Sequence, residues 1–253
     1  MPVRKTISKS LILYEIRNVL GNPYIWIFGV GFPIFFMFLM PTAVTRGMTD
    51  ASIIRMVTTS LFLSIGALIP MANMLMGYGI SCAQEMEKGV PQRLELFGIS
   101  RKMTLCNRAI SEGIFFVLSF LLYGLIGMLG LKLEAPAAIG VMYYAVCMLL
   151  FGIICFAMGH GIACLLRKFS LTYCVMMILY FGFMVCSGMM GISYEDMPKA
   201  MKAVANLIPV TYITKDFYTV WTGKSYNFMP MIQSYLFLGA VAGIVLFAGM
   251  KRK

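Results

Sequence analysis

Eight charged side chains lie in one short stretch, AQEMEKGVPQRLELFGISRKMTLCNRAI, residues 83–110: Glu85, Glu87, Lys88, Arg93, Glu95, Arg101, Lys102 and Arg108. Long apolar runs flank it on both sides. Catalysis there would need a convergent acid, base and nucleophile, and no such set is found. Contact with another polypeptide is the chemistry these residue types suit. A charge run is ordinarily a solvated loop, but the embedded turn signals point to an ordered element. Pro91 fits the first turn of a helix, Gln92 to Phe97 extend it, and Gly98 can close it in a left-handed cap. Ser100 then caps a helix that continues into the next apolar run. The sequence therefore predicts a short surface helix fixed at both ends by spanning helices, with Glu85, Glu87, Lys88 and Arg93 turned to solvent. A partner pushing on it would move both neighbouring helices together.

Elsewhere the chemical repertoire is thin. No G-x-x-x-x-G-K-[ST] pattern occurs, so the chain is expected to have no phosphate cradle of its own. Within the apolar runs the ionisable groups are few, chiefly Glu112 and His160, which counts against a proton-coupled carrier. His160 is read either as a polar contact in a pathway or as an imidazole bonded to a neighbouring helix. No metal site and no catalytic nucleophile is expected. The seven cysteines show neither zinc spacing nor a disulfide framework and read as small apolar packers. The 24 methionines either line a promiscuous pathway or simply pack. Gly239 and Gly243 form G-x-x-x-G, and Gly124, Gly127 and Gly130 recur in another run. Such faces suit close helix contact, within one bundle or at a dimer seam.

The elements that must hold these residues follow from composition. Of 253 residues, 60% are hydrophobic and 12% charged, with mean hydropathy +0.85. Soluble domains are about 25% charged, so the chain reads as an integral membrane protein of the cell membrane, multi-pass, with one transmembrane domain, 1–253. Ten-residue alternation is absent, so the class is all-α. Six runs suffice to span the hydrocarbon: 24–40, 57–80, 109–131, 138–166, 171–190 and 230–250. The first is expected to stay as a span and not be cleaved. The net charge of +11 gathers at the ends of these runs, which suits anionic lipid and argues against nucleic acid. Fourteen of the 21 Lys and Arg fall on the side of the N-terminus, so both termini and the segment 81–108 are expected to be cytoplasmic. Residues 7–21 read as an interfacial helix. Its apolar face carries Ile12, Leu13, Ile16, Val19 and Leu20, and its polar face Ser8, Ser10, Glu15, Arg17 and Asn18. In the outer loop 191–229, Asp196 is expected to cap a short amphipathic helix that ends before Pro209. Beyond it the loop shows no defined element.

Three stretches together resemble the ABC-2 type permeases, the membrane subunits of ATP-binding cassette exporters. In EMEKGVPQRLELFGISRK, the residues Glu85, Glu87, Gly89, Leu94, Leu96, Ser100 and Arg101 match the family's segment after its second span. Val90 stands where a Thr is usual, and Gly98 where a Pro is usual. MPKAMKAVANLIPVTYI, with Met197, Pro198, Pro209, Val210, Thr211 and Tyr212, is similar to the family's outer element. NPYIWIFGVGFPIFFMFLM, with Asn22, Pro23 and Pro33, is similar to its first span. The resemblance implies a coupling helix between spans two and three that docks a cytoplasmic ATPase through Glu85, Glu87, Gly89, Arg93, Leu94, Leu96, Phe97 and Arg101. It implies an outer gate element at Pro198, Pro209 and Tyr212. It implies a second permease subunit, identical or not, and ATP and Mg held by the ATPase and not by this chain. The expected cargo is an amphiphilic small molecule, lipid or peptide. An ATP-independent channel or secondary carrier is the alternative.

Overall fold

The computed structural model describes residues 9–190 and 194–251. The expected positive charges at Arg4, Lys5, Arg252 and Lys253, the first residues of the expected interfacial helix and the start of the outer loop lie outside the described residues. In chain order the helices are α1 (Lys9–Leu20), α2 (Ile27–Val44, entered through a single helical turn, Pro23–Trp26), α3 (Ala51–Glu87), α4 (Val90–Leu96), α5 (Arg101–Gly130), α6 (Ala138–Leu166), α7 (Phe169–Cys186), α8 (Lys199–Ala205), α9 (Pro209–Lys215), α10 (Phe217–Trp221) and α11 (Met229–Lys251). Among the described residues there is no strand. Six helices, α2, α3, α5, α6, α7 and α11, are long and apolar enough to cross a membrane. At 37 residues α3 far exceeds the roughly 20 that a bilayer requires. Glu85 and Glu87 therefore sit on its last turn and not in a loop.

Two wide π-turns interrupt the bundle, Ile27–Gly31 in α2 and Met71–Gly77 in α3. They face each other: a methyl at Gly29 would overlap Asn73 Oδ1. Asn73 is fully buried, and its amide has no hydrogen-bond partner among the described residues. Just upstream, Ala67 donates its N–H to Ser64 O at 3.1 Å and not to Leu63. The Tyr144 hydroxyl donates to the freed Leu63 carbonyl at 2.7 Å, and Tyr123 donates to Phe62 O at 2.7 Å. In a medium without water, each such carbonyl needs a partner inside the protein.

Helix α6 lies at the centre, packed between α3 and α11. Glycine permits the second contact: a Cβ on Gly161 would fall 2.6 Å from Leu246 N, and one on Gly249 2.5 Å from Gly161 O. The G-x-x-x-G residues are placed differently. Gly239 meets only Ile154, at 3.7 Å, and Gly243 faces open space. Gly127 and Gly130 lie against Phe62 and Phe38, whereas Gly124 is open.

Three local expectations are corrected. Glu15, assigned above to the polar face of the first helix, is 2% exposed, while Leu13 and Leu20 face outward. Helix α1 turns Ile12, Glu15 and Val19 toward the bundle because a guanidinium waits there, as described below. Asp196 does not cap α8. It belongs to a 3-10 turn, Tyr194–Asp196, and Pro198 takes the cap position with no side-chain bond. Past α8 the chain does not stay irregular. Helices α9 and α10 pack inward and bury Val210, Ile213, Phe217, Val220 and Trp221. Trp221 donates Nε1–H to Glu134 O at 3.2 Å, beside Gly140, whose missing side chain leaves it room.

Candidate functional site

At one end of the bundle, α1, the last turns of α3, α4, and the first turns of α5 and α7 converge. Gly21 and Asn22 end α1, and Trp26 ties the turn back by donating Nε1–H to Leu20 O at 2.8 Å. From α1, Glu15 accepts Arg108 Nε–H of α5 at 3.3 Å, and Ser111 Oγ–H donates to Ile12 O at 3.3 Å. From α3, Glu85 pairs with the same guanidinium and accepts Asn18 Nδ2–H at 3.2 Å. Arg108 is only 9% exposed, so one buried cation clamps three helices. Leaving such a partner alone costs about 3–5 kcal/mol, and the clamp fixes α1 to the bundle. Glu112 lies one turn beyond Arg108 on α5, 4% exposed, and its Oε2 has no hydrogen-bond partner among the described residues.

The residues expected to couple to an ATPase divide into two groups. Glu85 is half-buried and committed to Arg108, so it is not turned to solvent. Glu87 is exposed, yet it also works internally: its carboxylate accepts the Phe169 N–H at 2.7 Å and caps α7. Arg93 is exposed and donates Nη2–H to Lys88 O at 2.5 Å. Arg101 is exposed and pairs with Glu95 at 2.5 Å. Gly89 and Gly98 have φ of 67° and 79°, a conformation few side chains allow, and they bracket α4. Ser100 Oγ accepts the Met103 N–H at 3.3 Å and starts α5. Leu94 is half-buried. Leu96 and Phe97 are 84% and 80% exposed, side by side at the end of α4.

Glu15, Arg108 and Glu112 were not among the expected site residues. The signal available was the i, i+4 spacing of Arg108 and Glu112 inside an apolar helix. Glu15 gave none, because an acidic residue on an amphipathic helix reads as solvent-facing. His160 adjoins this cluster through Tyr78 and Cys82. Its Nδ1 lies 2.6 Å from the Tyr78 hydroxyl of α3, and Cys164 Sγ, one turn on, is 3.4 Å from Nε2. That arrangement is a polar contact between α3 and α6.

At the opposite end, Pro198 is exposed, Pro209 is buried at the start of α9, and Tyr212 is half-buried, donating to Asn206 O at 3.2 Å. Nearby Tyr226 donates to Asp216 Oδ2 at 3.1 Å, and burial together with that carboxylate raises its phenol well above the usual range. At the start of α3 the Asp50 carboxylate accepts from the Ser52 hydroxyl at 2.7 Å and its N–H at 2.8 Å. Those bonds hold Asp50 below the ordinary carboxylate value.

Comparison with curated proteins and with solved structures returned no significant match. A family model does match: the ABC-2 type transporter, over residues 8–220. That range takes in α1, the Arg108 clamp, α4, the inward-packed helix α9 and all but the last residue of α10. With six spanning-capable helices in a multi-pass membrane protein, the chain belongs to the ABC-2 type transporter family.

Proposed function

We propose that this permease is the membrane subunit of an exporter whose ATP is hydrolysed by a separate subunit. The observation that carries the reading is the exposed Leu96–Phe97 pair on a helix fixed between α3 and α5. Large apolar side chains displayed together at the end of a rigid element are the usual anchors of a protein interface. Helix α4 would seat in the ATPase, with Arg93 and Glu95 at its rim. Because α4 joins the ends of α3 and α5, movement of the ATPase would turn both helices. Arg108 would pass that movement to α1. Two bundles would face each other, with the open Gly243 face of α11 available to a second subunit. Within the membrane the cargo would be an amphiphile, moved from the α4 end toward the α9–α10 end. ATP and Mg would bind the partner subunit.

The test is reconstitution. Purified alone in lipid nanodiscs, the chain should hydrolyse no ATP. Joined to its ATPase, it should support ATP-driven transport that is lost when the ATPase is catalytically dead. Hydrolysis by a preparation free of any other subunit would refute the proposal.

A further inference from the structure

A cavity of about 840 Å³ opens beside the Arg108 clamp, between α1, the first turns of the first span, the lower half of α3 and the start of α7. That volume falls within the roughly 300–1,000 Å³ of ordinary ligand pockets. One wall is apolar and aromatic, with Ile25, Phe28, Met76 and Tyr173. The other carries Glu15, Glu85, Arg108 and Glu112. This makes three carboxylates against one guanidinium. Arg108 is shared by Glu15 and Glu85. Glu112 remains, buried, its Oε2 without a hydrogen-bond partner among the described residues. The other basic residues on the cavity, Arg17 and Lys88, are exposed at its rim. The rest of the polar lining, Asn18, Asn22, Tyr78, Ser81, Cys82 and Gln84 among it, carries no basic group.

A buried carboxyl in apolar surroundings gives up its charge unless a positive partner joins it. Among the described residues no group of three or more His, Cys, Asp or Glu could hold a metal ion. A cation that pairs with the carboxyl would bring apolar bulk to fill the cavity, whose lining includes the aromatic residues Phe28 and Tyr173. We propose that this cavity is a binding site for amphiphilic organic cations, with an ammonium group on Glu112 and the apolar body against Phe28, Met76 and Tyr173. The proposal rests on the exporter reading and names a cargo class for it.

Dansylcadaverine provides the probe: an apolar fluorophore carrying one primary ammonium. Its N-acetyl derivative keeps the body and loses the charge. The full chain in nanodiscs, without ATPase or nucleotide, is titrated with each, and emission is compared with that from empty nanodiscs. The cation should bind saturably and at least tenfold more tightly than the acetylated compound. Glu112→Gln should raise the dissociation constant of the cation at least tenfold and leave that of the acetylated compound unchanged, while Glu112→Asp should retain much of the preference. Equal affinities for the two probes on the unaltered chain would overturn the proposal, as would the absence of saturable binding. The same holds for a folded Glu112→Gln chain that still prefers the cation. The comparison on the unaltered chain stands even where a variant fails to fold. A chain that transports with its ATPase yet shows no charge preference would refute the cation site alone. One that binds the cation yet transports with no ATPase would refute the exporter reading alone.

Discussion

Replacing Phe97 by alanine removes an aromatic ring that touches almost nothing in the isolated chain. At 80% exposure its loss should change the stability of the permease by no more than about 0.5 kcal/mol. Docking changes that balance. Full burial of a phenylalanine side chain stabilises by about 1.5–3 kcal/mol, so covering the exposed four-fifths is worth roughly 1.2–2.4 kcal/mol. At about 1.4 kcal/mol per factor of ten, the dissociation constant for the ATPase should rise about 7- to 50-fold. Lys88→Ala is the comparator. An exposed ion pair is worth roughly 0–1 kcal/mol, which caps its effect at about fivefold. Binding of the ATPase subunit to immobilised nanodiscs reads both numbers, and substrate-stimulated ATPase activity should follow the same order. A Phe97→Ala chain that binds within twofold of the unaltered one, or a Lys88→Ala chain that loses more, would refute the idea that α4 docks through its apolar end.

Cysteines placed at the exposed positions Asp50 and Asn227, in a background lacking the seven native ones, should react with an impermeant thiol reagent in intact cells. One at Lys88 should not, and the reverse pattern would invert the proposed orientation. Arg108→Met should destabilise the chain by about 3–5 kcal/mol, read as a lower thermal midpoint in detergent, because Glu15 and Glu85 lose the guanidinium they share. Adding Glu15→Gln and Glu85→Gln should recover much of that loss; no recovery would show that Arg108 acts by packing alone. Gly161→Ala should cost about 1–3 kcal/mol, since its methyl would press on the α11 backbone. Gly243→Ala, facing open space, should leave the thermal midpoint of the monomer unchanged.

The helical class and the six spans were legible because they depend on composition and length alone. A run of apolar residues long enough for the hydrocarbon admits few other conformations. Positive φ at Gly98 is likewise a property of one residue and its neighbours. What depends on meeting another element was not legible. Glu15 looks solvent-facing on a helical wheel because the wheel cannot show Arg108, 93 residues away in sequence. Glu85 looks available to a partner for the same reason. The outer segment misled through its polar residues: Lys215, Asp216 and Lys224 suggest a loop, while Phe217 and Trp221 between them fill the core. No periodicity announces the π-turns, since the apolar run through 71–77 is buried all round and carries no phase to read.

Those wide turns determine which changes in length the fold can absorb. Each residue of an α-helix turns the chain by about 100° and advances it 1.5 Å. A π-turn takes up one extra residue per loop without passing that rotation on. If Met71–Gly77 wound as α-helix with every residue kept, the lower part of α3 would swing by about 100° and carry Glu85 away from Arg108. If one residue were removed there instead, the helix could tighten and leave Tyr78, Cys82 and Glu85 on their present faces. A single deletion within 71–77 is therefore a length change that α3 should tolerate. Relatives of this chain that are one residue shorter should carry the gap there, opposite the matching wide turn at Gly29.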